Sequence, residues 1–331
     1  MASSKKMNPS SRANPNTGFG VQTGRIGGRF VNRDGSFNLR KEGWPWLKRL
    51  GFYSKLLQLS WPSFIGIIIL FYFLFNICFT GVYILLGPRQ LAGMIGLTWW
   101  EQVMEMFFFS TQTFTTVGYG RVNPVGIMAN FIASIESMAG WLFFAIVTGL
   151  LYGRFTRPRA YIAFSEHALI SPYHDGTGLM FRMVPYKSNH FITDARVVVN
   201  VAFTVTEGDK KEYKFFDLVL ERSRIDAFNM NWTVVHPIDQ QSPLVNFTPE
   251  DMERSDFEFF VQVTGFDHIF SNMVMQRTSY TYREIIWGAR FLPMYHESED
   301  GATTILELQK LNDHEPVAIK PLRNTGTKGF S

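Results

Sequence analysis

The chain has 331 residues, with 32 Lys and Arg against 28 Asp and Glu and a net charge of +4, too small a basic excess to point to nucleic acid. Its 46% apolar and 18% charged composition excludes a disordered chain, which needs low hydrophobicity and high net charge. The single cysteine, Cys78, excludes an internal disulfide framework and a cysteine-based zinc cluster.

The length allows about two domains at roughly 150 residues each, and the two halves differ. Residues 1–43 are polar and rich in Gly, Asn and Ser, with no apolar stretch of the signal-peptide kind. They are expected to form a flexible basic tail. Residues 44–59 mix Trp46, Leu47, Leu50, Tyr53, Leu56 and Leu57 with Lys48, Arg49 and Lys55 at helical spacing. That pattern predicts a helix lying along a membrane surface, a slide helix; packing on a soluble domain is the alternative.

Residues 61–88 carry no Asp, Glu, Lys, Arg or His, and residues 122–153 carry one charge, Glu136. A bilayer core of about 30 Å needs roughly 20 apolar residues of helix, so both runs can span it. The predicted transmembrane pore domain is 60–153, with spans at 61–86 and 126–153. Trp99 and Trp100 read as interfacial aromatics. Residues 1–60 hold eleven Lys and Arg against Asp34 and Glu42, whereas 87–125 hold only Arg89 and Arg121 as bases. Positive-inside bias then places both termini in the cytoplasm and the connector outside.

Within the connector, residues 101–114 are apolar but too short to cross, the length class of a re-entrant helix. They run into Thr115 and then Thr116-Val117-Gly118-Tyr119-Gly120. In this TVGYG segment the carbonyls of Thr116, Val117, Gly118 and Tyr119, with the Thr116 hydroxyl, can face one axis. Gly118 and Gly120 reach φ > 0 at little steric cost. Rings of such oxygens replace the hydration shell of K⁺. The expectation is a K⁺-selective channel with the filter at 116–120 and K⁺ as the permeant ion. Two spans cannot enclose a pore alone, so a homotetramer is expected.

Glu136 inside a span should face protein or water. It either braces the filter near Thr113 or Thr115, with Thr115 as a second support, or makes an ordinary helix contact. Gly140 can act as a hinge or permit close packing. Phe144, Thr148 and Tyr152 follow at i+4 spacing on one face. They form either an apolar gate that closes by dewetting or lipid-facing aromatics. Arg121, directly after the filter, meets either the ions or a carboxylate.

Beyond residue 159 short β-rich runs alternate with turn signals: 161–170, 179–184, 195–206, 215–221, 232–236, 257–264, 279–287 and 304–308. They predict a β-sandwich over residues 154–310, followed by a tail at 311–331. One short helix is expected after Thr248, with Pro249 in its first turn. The seven histidines are scattered, and no G-x-S-x-G, P-loop or G-x-G-x-x-G occurs. An enzyme is not expected, nor a cofactor.

SWPSF at 60–64, TTVGYG at 115–120, RFTRPRA at 154–160, WTVVHPIDQQSPL at 232–244 and YREIIWGARF at 282–291 give the chain a family likeness. It resembles the inward-rectifier potassium channels, most of all their prokaryotic (KirBac) branch, over roughly residues 40–300. The resemblance implies a membrane α plus all-β homotetramer of the plasma (inner) membrane, with an immunoglobulin-like cytoplasmic β-sandwich extending the conduction path. It implies lipid gating without a voltage sensor. Arg154, Arg157 and Arg159 match the family's contact with anionic lipid headgroups, phosphoinositides among them, which basic clusters favour electrostatically; enforcing topology is their other role. Phe144 and Tyr152 match family constriction positions. Strongly rectifying members carry an acid where this chain has Phe144, which leaves Asp194 as a substitute pore acid. A K⁺-transporter pore subunit and a membrane-anchored β-sandwich binding module are the alternatives.

Overall fold

The computed structural model describes residues 8, 13–14, 18, 29–40, 42–43, 51–156, 158–188, 191–207 and 210–319. They divide into two compact units, Glu42–Arg157, and Met1–Lys41 with Pro158–Ser331. Residues 44–50 of the expected slide helix, Arg157, His190 and residues 320–331 lie outside the described residues.

The first unit is helical: α1 (Phe52–Gln58), α2 (Trp61–Leu86), α3 (Trp99–Phe114) and α4 (Ile127–Phe155). Pro62 sits in the first turn of α2, where a missing N–H costs nothing, and Gly87 at φ 86° ends it. Leu70, Leu74, Ile77 and Leu85 stand exposed along α2, and Ile127, Met128, Trp141 and Ile146 along α4. Apolar faces of this extent, on two helices long enough to cross, suit hydrocarbon rather than water. The shorter α3 starts two residues before the expected boundary. Thr98 caps it in a reciprocal box with Glu101, which draws Trp99 and Trp100 into the first turn. β1 (Leu91–Ala92) pairs antiparallel with β2 (Asn123–Pro124), tying together the chain on either side of α3 and the filter.

The second unit is a β-sandwich. One sheet orders β11 (Asn272–Thr281), β10 (Glu258–Asp267), β6 (Ile192–Glu207) and β7 (Lys210–Asp217), with β8 (Arg224–Phe228) also on β6. The other orders β12 (Ile285–Trp287), β4 (Ala168–Tyr173), β5 (Gly176–Pro185) and β3 (Ile162–Phe164), with β9 (Trp232–Ile238) on β5. Val197, Val199, Val201 and Phe203 alternate inward along β6 and meet Phe181, Met183, Val234 and Phe259 in one core. The capped helix α5 (Pro249–Arg254) starts at Thr248 as its sequence predicts. His236 is buried, donates from Nδ1 to Val219 O at 2.6 Å and accepts at Nε2 from Ser242 at 2.8 Å. Burial lowers its pKa and favours this neutral form. The spacing of His236 and Ser242 in WTVVHPIDQQSPL is thus a packing requirement.

Several boundaries differ from expectation. The run at 161–170 breaks at Ser165, whose hydroxyl donates to His167 O and accepts from the Arg182 N–H, giving β3 and β4. β7 begins at Lys210 rather than 215 because its register is set by the hairpin with β6, where Glu207 opposes Lys210. The charged β8 and the Met- and polar-rich start of β11 carry weak apolar alternation and were missed by pattern. The domain also runs past 310: β13 (Ala289–Phe291) pairs with β16 (His314–Pro316), and β14 (Tyr295–Glu297) with β15 (Thr304–Leu306), so residues 314–316 belong to the fold.

The basic tail needs a larger correction. Residues 29–40 pack on the β-sandwich. Phe30 is 2% exposed among Ala202, Tyr213, Phe215 and Phe260. The Glu258 carboxylate accepts from the Phe30 N–H at 2.8 Å and the Val31 N–H at 3.2 Å, and Arg29 pairs with Glu284 at 2.7 Å. Gly35 at φ 82° permits the tight turn over β11, where a Cβ would meet Arg277 O at 2.6 Å. A single apolar pair, Phe30-Val31, inside a polar stretch is too faint a signal to predict docking.

Candidate functional site: the filter and its supports

The filter backbone alternates in handedness. Thr116, Gly118 and Gly120 have φ of 60°, 54° and 82°, while Val117 and Tyr119 stay on the negative side. This alternation turns successive carbonyls toward the same side. Two of the three positive positions were expected from glycine. Thr116 was not, and a β-branched residue there is a conformational outlier of the kind held at functional sites. Its hydroxyl donates to Thr115 O at 2.7 Å, leaving oxygen lone pairs for a cation.

The inner end of the filter hangs on α3. Gln112 O accepts from the Val117 N–H at 2.9 Å and the Gly118 N–H at 3.3 Å, and Thr113 O accepts from the Thr116 N–H at 3.0 Å. Thr115 donates from its hydroxyl to Thr111 O at 2.7 Å. The last carbonyls of the pore helix therefore orient the filter directly.

Glu136 is fully buried, but it bonds neither Thr113 nor Thr115. Tyr83 of α2 donates to one carboxylate oxygen at 2.7 Å and Ser110 of α3 to the other. Ser110 also lies 3.2 Å from Asn76 Oδ1. The contact expected near Thr113 or Thr115 thus falls about one turn earlier on α3, at Ser110, because i+3 and i+4 geometry sets Ser110 and Thr113 on neighbouring turns. Asn76, Tyr83 and Ser110 were missed; isolated polar side chains in otherwise apolar runs were the available signal.

Gly140 is a contact residue. A Cβ there would lie 1.8 Å from Phe114 O, and α4 continues unbroken through it. Glu136, Gly140, Phe144, Thr148 and Tyr152 are spaced by four. Such a series drifts about 40° per step around an α-helix. Glu136 and Gly140 accordingly face protein, whereas Phe144, Thr148 and Tyr152 are exposed on the isolated subunit.

The basic cluster is not three equivalent bases. Arg154 donates to Leu56 O at 3.0 Å and Leu59 O at 2.8 Å, and its guanidinium lies over Trp61 and Phe64. It closes the C-terminal end of α1 on α4, and two of its five N–H donors are taken by these carbonyls. Gly153 assists, since a Cβ there would crowd the Tyr53 hydroxyl at 2.8 Å. Arg159 is exposed. Asp194 is no free pore acid: it pairs with Arg196 at 3.0 Å and Arg224 at 2.5 Å. The hydrogen bond from Arg196 is the main reason its carboxyl sits below the ordinary range. Arg121 meets a carboxylate, Glu105, at 2.7 Å.

A re-entrant helix delivering a TVGYG turn between two membrane-length helices is the build of a cation-channel pore subunit. The comparisons agree with that class. A family model described as "Ion channel" matches residues 67–157, and one described as "Inward rectifier potassium channel C-terminal domain" matches residues 162–325. The chain is 35% identical over 289 residues to inward rectifier potassium channel Kirbac3.1 of Paramagnetospirillum magnetotacticum, covering 86% of this chain and 95% of that protein. It is 28% identical over 208 residues to inward rectifier potassium channel 4 of Homo sapiens, covering 58% of this chain and 45% of that protein. The chain belongs to the inward-rectifier potassium channel family. It is a plasma-membrane, oligomeric K⁺ channel whose membrane helices precede an all-β domain.

Proposed function

We propose that the chain acts as a homotetrameric, lipid-gated K⁺ channel without a voltage sensor, both termini cytoplasmic. Each copy contributes one filter strand, Thr116 to Gly120, and the carbonyls of Thr116, Val117, Gly118 and Tyr119 ligate K⁺. The alternation of φ along this strand is the observation that carries the proposal. Glu136 and Thr115 hold the pore helix and filter in place from behind. Phe144, Thr148 and Tyr152 line the path toward its inner end, where converging aromatic rings would exclude water and close it.

Arg157 and the exposed Arg159 are the bases assigned to anionic lipid, and the helix carrying Phe52–Gln58 lies along the membrane surface. No segment repeats arginines at helical spacing, so no charge-bearing helix moves in the field. With Phe144 apolar and Asp194 matched by two arginines, steep block by polyamines or Mg²⁺ is not expected.

Purified protein in liposomes tests this. Rb⁺ uptake down a K⁺ gradient, blocked by Ba²⁺, absent with Na⁺ and dependent on anionic lipid, is the expected result. Tyr152→Ala should raise basal uptake severalfold at equal protein. No uptake in any lipid mixture, with a monomer by mass, would instead favour a membrane-anchored binding module.

A further inference from the structure

The larger sheet of the β-sandwich ends on β7, and among the described residues only Ala13 and Asn14 continue it. Ala13 forms an antiparallel bridge with Phe216, and the Asn14 N–H donates to Phe215 O at 2.9 Å. The Asn14 side chain donates to Asn200 Oδ1 at 2.7 Å and to Asp217 Oδ1 at 2.5 Å. Upstream, Asn8 donates to Ser242 O at 3.1 Å and to Gln240 O, both in the turn after β9. Pro15 disfavours the helical conformation at Asn14 and so favours the extended backbone that strand pairing needs.

The position of this contact along β7 gives it a purpose. Lysines on an edge strand discourage pairing with another chain. By sequence, β7 carries Lys210, Lys211 and Lys214, and none after that. Phe215, Phe216 and Asp217 complete the strand, both rings buried, so the backbone edge there has no lysine to protect it. Ala13 and Asn14 lie on that stretch. Left open, such an edge is self-complementary, because two copies of one strand can pair antiparallel across a two-fold axis. Main-chain hydrogen bonds supply the affinity in strand addition of this kind.

We propose that Ala13 and Asn14 cap the unprotected end of β7, and that the partner they keep away is the β7 edge of a second copy. The cap has the advantage of being intramolecular. Asn14 is joined to the docked segment at 29–40 by a short stretch of chain, which gives it an effective concentration on the order of millimolar at the edge. A second copy at lower concentration cannot match that.

The test compares full-length wild-type protein in detergent with a deletion of residues 2–14 and with Asn14→Pro. The proline removes the N–H and the side-chain amide but keeps the length of the tail and its bases Lys5, Lys6 and Arg12. Amide exchange is read on dilute protein, and mass by light scattering across a concentration series. Both variants should raise exchange at residues 215–217 at least tenfold, with β6 and β10 still protected. Both should also move from the wild-type mass to multiples of it as concentration rises, and an added synthetic peptide of residues 8–18 should restore the wild-type mass. Unchanged exchange in the deletion would show that the edge is not covered in solution and would overturn the proposal. Raised exchange without any gain in mass would overturn the second copy as the excluded partner. Association of the deletion but not of Asn14→Pro would show that the tail acts by bulk or charge repulsion, which also overturns capping.

Discussion

A threonine at φ 60° costs roughly 1–2 kcal/mol relative to its right-handed conformation. Thr116 is kept there by the bond from its N–H to Thr113 O and by the Gln112 bonds that follow. Gly118 needs the same handedness but has open space around the position a Cβ would take. Within one subunit its requirement is therefore conformational. Gly118→Ala should leave tetramer assembly nearly intact while lowering K⁺ uptake at least tenfold, and a D-alanine installed by semisynthesis should restore it. Equal loss with both alanine enantiomers would show that the alternation is not the reason for glycine. The signature TVGYG made this residue-level chemistry readable in the sequence. Thr116 escaped because its backbone angle follows from carbonyl partners in α3, and no local propensity reports them.

At the scale of elements, apolar run length predicted both spans almost to the residue, since a bilayer imposes a length that composition reveals. What the runs could not tell was how helices meet. The approach of α4 to the end of α3 depends on Gly140, where Phe114 O occupies the place of a side chain. Gly140→Ala should force α3 and α4 apart and lower the melting temperature of the tetramer, with a cost of about 1–3 kcal/mol per subunit for overpacking. Because Phe114 adjoins the Thr115 filter support, uptake should fall along with stability. A variant of unchanged melting temperature and selectivity would show that the helices meet elsewhere. Arg154 gave a related lesson. The basic cluster marked it, but pattern could not show that it also bonds the carbonyls of Leu56 and Leu59, nearly a hundred residues earlier in the chain.

At the scale of the whole molecule, alternation along β6, β9 and β10 made a sandwich legible, whereas its edges depended on long-range pairing that pattern does not encode. The segment at 29–40 shows this best. Its attachments include the buried Phe30 ring, the Glu258 carboxylate shared by two backbone N–H groups, ion pairs from Arg29 and Arg33 to Glu284, and a hydrogen bond from Thr278 to Arg33 O. Phe30→Ala should remove the apolar part, worth about 3–5 kcal/mol for a fully buried phenylalanine. Amide exchange at residues 30–38 should then rise by orders of magnitude with the β-sandwich core still protected; unchanged exchange would mean the segment's polar contacts suffice without the ring.

The most direct test of K⁺ ligation by the filter is an anomalous-scattering map of the assembled protein equilibrated with Rb⁺ or Tl⁺. Ion peaks on the four-fold axis between the Thr116 and Tyr119 carbonyls are the predicted result. Loops turned away from that axis, with no peak between those carbonyls, would contradict it.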